Sequence, residues 1–236
     1  MFRALDAAAR YFFRTMRILN AMFGRGRGGI EQAFVDYDAA LRLAGHQVLN
    51  VLHPKAAMRA QLDPARCHAI GNLGGWDPLA AVRLHRLVRS WRPDVIICHG
   101  NRACSLLHRA ARGKPVPVAG VAHNYNVARF PRLDAAIAIT GDLATQLAKA
   151  GVPTSRIFLV PNMVAMPEES GPPRQWHDPP VIGTLGRFVP KKGFEVYLRA
   201  LGALKAKNQR FRAVLAGAGP EEASLRRLAE DQQLDT

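Results

Sequence analysis

Short apolar runs alternate with amphipathic stretches along most of the chain, and this alternation leaves few folds open. The runs are residues 16–23 (MRILNAMF), 46–52 (HQVLNVL), 94–99 (DVIICH), 116–123 (VPVAGVAH), 135–140 (AAIAIT) and 156–160 (RIFLV). Between them the spacing predicts helices over 29–44, 79–91, 102–112 and 142–150. Nearly continuous apolar strands separated by helices imply a parallel sheet covered on both faces. That is a doubly wound α/β domain, whose ligand belongs at the carboxyl ends of its strands.

The rhythm stops at 164–178 (VAMPEESGPPRQWHD), which is rich in Pro, Gly and charge and reads as a linker. It then restarts. Strands are expected at 181–188 and 211–219, with helices at 193–208 and 221–234. Two strands and two helices make only a marginal domain, and a two-stranded parallel sheet leaves an exposed edge. The expected organisation is therefore a domain over 1–167 with a lead-in at 1–15, a linker at 168–178, and the first part of a second α/β domain over 179–236. The second domain reads as incomplete at its C-terminal end.

Composition narrows the function classes. Hydrophobic residues make up 48% of the chain, enough for a real core and too many for global disorder. No apolar run is long enough for a transmembrane helix. The opening MFRALDAAARYFFRT fits neither a signal peptide nor an anchor. It reads as a short amphipathic lead-in, or as sequence upstream of a true start at Met16. Cys67, Cys98 and Cys104 are odd in number and lack a CxxC pair, which suits a reduced, cytoplasmic protein without thiol-bound metal.

The net charge is +15, and residues 1–167 hold 22 Lys and Arg against nine Asp and Glu. A basic first half suits an anionic partner such as a phosphorylated lipid or a membrane surface. An Arg-rich codon bias would give the same excess. No zinc finger, RNP aromatic pattern or helix-turn-helix signal supports nucleic acid as a partner.

The loop FGRGRGGIEQAF (23–34) sits between a strand and a helix, and Gly24, Gly26 and Gly29 match GxGxxG. A nicotinamide enzyme usually places an acid about 20 residues on, for the ribose hydroxyls. The second strand here has no acid from Gly45 to Ala60. The glycines keep another use. Gly28 and Gly29 would let the backbone approach a ligand and aim helix N-terminal N–H groups at a phosphate.

The Gly-Gly-Ile-Glu after the first strand, together with three later segments, resembles the family-4-type retaining glycosyltransferases, which have the GT-B fold of two Rossmann-like domains. The first later segment is DAAIAITGDLATQLAKAGVPTSRIFLVPNMV (134–164). The others are VIGTLGRFVPKKGFEVYLRAL (181–201) and VLAGAGPEEASLRRLA (214–229), which look like the start of the family's donor domain. The resemblance spans roughly residues 16–234. It implies that Arg187 and Lys192, with Gly28 and Gly29, hold the donor diphosphate. Arg and Lys would stabilise the leaving group's charge without a metal or other cofactor. By the same resemblance His123, at a strand's carboxyl end and facing an interdomain cleft, contacts the donor sugar or holds the acceptor region; His99 ends the neighbouring strand and is its rival.

Two further patterns look functional and have plainer readings. Glu222 and Glu230 imitate the family's Glu, seven residues, Glu motif. They lie straight after the GxGP turn among Arg226 and Arg227, as a solvated helix face would. Leu84, Leu87, Val88 and Trp91 form an apolar stripe that Arg83, Arg86, Arg89 and Arg92 avoid. Packing of the stripe on the sheet is expected, with the arginine face left free for lipid phosphates.

The resemblance implies transfer of a sugar, with retention, from a nucleotide-sugar donor to a hydroxyl acceptor such as an envelope glycolipid or polysaccharide. The enzyme would be cytoplasmic or peripheral on the inner face of the cell membrane. A chain lacking the rest of the donor domain would be nearly inactive. The alternatives are a non-catalytic fragment or binding module, and a nicotinamide-dependent oxidoreductase.

Overall fold

The structure is a computed structural model that describes residues 14–163 and 177–234. The chain divides into two compact units, Met1–Met166 and Pro167–Thr236. The lead-in up to residue 13, and the expected linker apart from residues 177 and 178, lie outside the described residues.

The first unit is one parallel sheet of seven strands. They are β1 (Arg17–Met22), β2 (Gln47–Leu52), β3 (Cys67–Ala69), β4 (Val95–His99), β5 (Val118–Ala122), β6 (Ala135–Ala138) and β7 (Ile157–Leu159). Their order across the sheet is β3-β2-β1-β4-β5-β6-β7, and every pairing is parallel. The helices are α1 (Gly29–Leu43), α2 (Pro78–Trp91), α3 (Gly100–Ala110) and α4 (Gly141–Lys149). The six expected strands and four expected helices are present. β3 was not expected, because three residues with an exposed His68 and Ala69 carry no apolar run.

The helices start where local chemistry starts them. Asp77 caps α2 by accepting from the Ala80 amide at 3.1 Å, ahead of Pro78. Thr140 caps α4 through its hydroxyl oxygen, which accepts from Leu143 at 3.2 Å. Gly100 has φ +78°, the left-handed region where a Cβ is strained, and turns the chain straight from β4 into α3. That is why α3 begins two residues earlier than its periodicity predicts.

The core fills both faces of the sheet. Leu19, Ala21, Ile96 and Cys98 face Leu84, Val88, Leu106 and Leu107. Leu87 and Trp91 pack against the same cluster. The stripe on α2 is therefore core, at roughly 1.5–3 kcal/mol for each fully buried aliphatic side chain, and Arg83, Arg86, Arg89 and Arg92 are exposed.

The second unit pairs β8 (Val181–Leu185) in parallel with β9 (Arg212–Ala216). Helices α5 (Phe194–Ala206) and α6 (Glu222–Asp231) bury Phe194, Leu198, Leu201, Leu225 and Ala229 with Phe188.

Candidate functional site

In the first unit the strand order reverses direction between β1 and β4, so their carboxyl ends form the crevice where ligands of such sheets bind. Three histidines stand at strand ends: His53 after β2, His99 ending β4 and His123 after β5. The two strand-end candidates His99 and His123 touch each other, with His99 Nδ1 3.1 Å from His123 Nε2. His99 is fully buried, with Tyr37 and Phe34 meeting its ring edge-on at 4.9 and 5.7 Å. His123 is half-buried. Burial, then the neighbouring His123, holds the His99 pKa well below the usual histidine value. Burial pushes that of His123 down to about 4. The pair is neutral at physiological pH.

Behind His99 the polar contacts continue inward. Its Nε2 is 3.0 Å from Asn20 Oδ1. Asn20 Nδ2 donates to Asn50 Oδ1 at 3.0 Å, and Asn50 Nδ2 donates to Asp38 at 2.7 Å. Sequence reading missed Asn20, Asn50 and Asp38. The available signal was a lone polar residue in the middle of each of two apolar strands.

The crevice is basic. Burial lowers the His53 pKa, and the charges of Arg25, Arg102 and Lys55 lower it further. Arg102 donates to the Phe23 carbonyl at 3.3 Å, which ties α3 to the end of β1. Gly28 caps α1 in an extended conformation, and an added Cβ at Gly29 would meet nothing within 4 Å. Neither glycine is demanded by backbone strain; the space over Gly29 is open. The Glu31 carboxylate folds back over Gly24 and Gly28 and is the first-turn acid of α1. The helix N-terminus thus already faces one negative group. Two residues beyond His123 in the chain, Tyr125 is exposed beside Asp142, whose hydrogen bond and charge raise its pKa.

The second unit holds Arg187 and Lys192. Arg187 is exposed on the loop after β8, and Lys192 is exposed in a short turn before α5. The backbone around Arg187 is clamped. Gly186 donates to the Ala216 carbonyl at 3.0 Å and Phe188 to that of Ala218 at 2.9 Å. A Cβ on Gly219 would run into the backbone of Phe188. The GxGP turn therefore needs its glycine so that one loop can lie on the other. Phe188 packs edge-on against Phe194 at 5.1 Å, which fixes the loop from below. Glu222 pairs with Arg226 at 3.1 Å, and Glu230 is exposed, so both behave as a solvated helix face. Among the described residues no group of three or more His, Cys, Asp or Glu is set to hold a metal ion.

Known proteins resemble the chain along most of its length. Residues 27–166 match the model of Glycosyltransferase Family 4, and residues 167–236 match that of Glycosyl transferases group 1. A lipopolysaccharide core biosynthesis glycosyltransferase, LpsD of Rhizobium meliloti (strain 1021), is 24% identical over 225 residues. That alignment covers 92% of this chain and 63% of LpsD, so the chain spans under two thirds of this relative. Among solved structures, Anabaena HepE in complex with UDP and glucose superposes with a TM-score of 0.75 at 17% identity, covering 94% of this chain and 67% of HepE. The lipopolysaccharide outer core galactosyltransferase WaaB superposes with a TM-score of 0.69 at 14% identity, covering 94% of this chain and 66% of WaaB. At such identities these structures speak for the fold, which is the GT-B class of Rossmann-like units. With more than half of its residues matched by the family's own model, the chain belongs to Glycosyltransferase Family 4.

Proposed function

We propose that the protein transfers a sugar, with retention, from a nucleotide-sugar donor to a hydroxyl of an envelope glycolipid or polysaccharide. The observation that carries this reading is the clamped loop after β8, which presents exposed Arg187, with Lys192 following it, in a unit matching the glycosyl transferase model. An exposed guanidinium on a rigid loop suits a diphosphate, because its donors match phosphate oxygens without reorganising. The N-terminus of α1 is open over Gly29 and would take a phosphate beside Gly28 once the Glu31 carboxylate swings away. No metal is needed, since Arg187 and Lys192 supply the positive charge. His123 contacts sugar or acceptor. The relatives support the donor and acceptor classes: HepE is seen with UDP and with UDP-glucose, and LpsD acts in lipopolysaccharide core biosynthesis.

The test is binding and transfer together. A panel of nucleotide sugars and NAD is titrated, and label transfer to glycolipid extracted from membranes is counted. Binding of nucleoside diphosphates and their sugars, with NAD inert, is expected, and any product should keep the donor's anomeric configuration. Micromolar NAD affinity without nucleoside diphosphate binding would overturn the reading.

The membrane is the proposed location of the acceptor. Among the described residues no helix is long and apolar enough to cross a bilayer. Contact would instead be peripheral, on the inner face, where free Cys67, Cys98 and Cys104 stay reduced. The outer face of α2 carries Leu79, Val82, Arg83 and Arg86 at helical spacing, and the loop before it exposes Leu73 and Trp76. Arg109 holds that loop through the Trp76 carbonyl at 2.9 Å. An exposed Trp and Leu flanked by arginines fit an anionic lipid surface. Each basic residue near such a surface contributes ~1 kcal/mol, so Arg83→Ala and Arg86→Ala should each weaken binding to anionic vesicles about five-fold. Trp76→Glu should weaken it further, and rising salt should release the protein. Equal binding to neutral vesicles would end the electrostatic argument.

A further inference from the structure

One face of the sheet carries a row of polar side chains through otherwise apolar strands. Asn20 stands opposite Asn50 in the β1–β2 register, His99 is opposite Met22, and Val121, two residues before His123, is opposite His99. Strand side chains alternate, so Asn20, Asn50, His99 and His123 share the face that α1 covers. The row divides the apolar side chains of that face in two: Met22, Phe34 and Leu52 on one side, Ile18, Tyr37, Ile97 and Val121 on the other. Asn20 and Asn50 are fully buried. Such groups are tolerated only when hydrogen bonded, and here the acceptors at the ends of the row dictate its direction.

Two of those acceptors can only accept. The Asp38 carboxylate, paired with Arg42 at 3.0 Å, accepts from Asn50 Nδ2. The Phe34 carbonyl accepts from Asn20 Nδ2 at 3.1 Å. Asn50 therefore turns its Oδ1 to Asn20. Asn20 has committed its nitrogen to Phe34 and Asn50, so it turns Oδ1 to His99. His99 must donate from Nε2, which leaves a lone pair on its Nδ1 in the neutral ring. The 3.1 Å contact then requires the proton to sit on His123 Nε2. The two rings lie within 24° of parallel, which suits such a bond.

We propose that the row Asp38–Asn50–Asn20–His99 holds His123 in its Nε2–H tautomer, and so presents His123 Nδ1 as a hydrogen-bond acceptor for a hydroxyl of the ligand. Asn20 and His99 are positioning residues in this scheme. A hydroxyl can donate to a bare ring nitrogen; an ionised diphosphate oxygen, which only accepts, cannot. His123 is thereby assigned to a sugar or acceptor hydroxyl and away from the diphosphate. This choice of ligand rests on the proposed sugar transfer, whereas the tautomer does not.

The experiment uses the full chain with 15N-labelled histidine, read by NMR at neutral pH. The expected result is that His99 and His123 both carry the proton on Nε2, with scalar coupling between His123 Nε2 and His99 Nδ1. A proton on His123 Nδ1, or a mixture of tautomers, would overturn the proposal. Asn20→Asp sets an anionic acceptor against His99 and favours its imidazolium. His99 should then donate from Nδ1 and move the His123 proton to Nδ1. If the folded variant keeps the proton on Nε2, the row does not set it; if the variant does not fold, the wild-type coupling decides. UDP, UDP-glucose, UDP-galactose and ADP-glucose are then added. A nucleotide sugar should shift His123 Nδ1 while UDP leaves it in place. A shift with UDP alone equal to that with the sugars overturns the hydroxyl assignment. The expected tautomer with no response to any of the four overturns the sugar-contact reading of His123 and leaves the row standing.

Discussion

Arg187→Ala should weaken nucleoside diphosphate binding by about 10- to 100-fold, the loss of a charge-assisted hydrogen-bonding group worth ~1.5–3 kcal/mol. The side chain is exposed, so its removal leaves no buried partner and no cavity. The loop beneath it is held by backbone bonds to Ala216 and Ala218 and by the Phe188–Phe194 contact, none of which involves the guanidinium. Fold and loop geometry should therefore survive, and the change in affinity should report the lost contact alone. Lys192→Ala should weaken binding in the same direction. Arg187→Lys should recover only part of the loss, because an ammonium keeps the charge but not the planar fork. Glu222→Ala is the control, since that carboxylate pairs with Arg226 on the solvent side of α6. Calorimetric titration with UDP, ADP and GDP measures all four variants. An unchanged affinity in Arg187→Ala would remove Arg187 from the diphosphate site, and a loss in Glu222→Ala would move the donor site to the Glu222–Glu230 pair.

The elements that repeat in the chain were legible because each strand buried on both faces is a continuous apolar run and each covering helix has one apolar stripe. β3 escaped because a three-residue edge strand buries almost nothing. The residues at strand ends were legible one at a time. His123 and His99 could be named as candidates, but whether they competed or cooperated depended on the β4–β5 register, which no local pattern encodes. The row of Asn20, Asn50 and Asp38 was hidden for the same reason. Each is a single polar residue in an apolar context, and only pairing of β1 with β2, and of α1 over both, turns three isolated anomalies into one connected chain. At the glycine loop the sequence leaves the backbone conformation open: neither Gly28 nor Gly29 is demanded by strain, and the Glu31 carboxylate lies over Gly24 and Gly28.

The same histidine pair should make the first unit lose stability as pH falls below the ordinary histidine pKa, before the carboxylates begin to titrate. Burial lowers the pKa of His123 to about 4 and that of His99 in the same direction, so the folded chain refuses protons that the unfolded chain binds near pH 6.5. His53, pushed down by burial and by Arg25, Arg102 and Lys55, acts in the same sense. Stability from these rings is complete above the ordinary histidine pKa and is lost as pH falls from about 6.5 towards 4. For His123 alone, the loss between about pH 7.5 and pH 4.5 should be roughly 2.5 kcal/mol, at 1.36 kcal/mol per unit of differential protonation. Urea unfolding followed by far-ultraviolet circular dichroism at the two pH values measures it. His123→Asn keeps a polar group near His99 without a titrating ring, so its stability should fall less over the same interval. Equal slopes in the wild type and the variant would mean that His123 protonates freely in the folded state, and that its ring is not held neutral against His99.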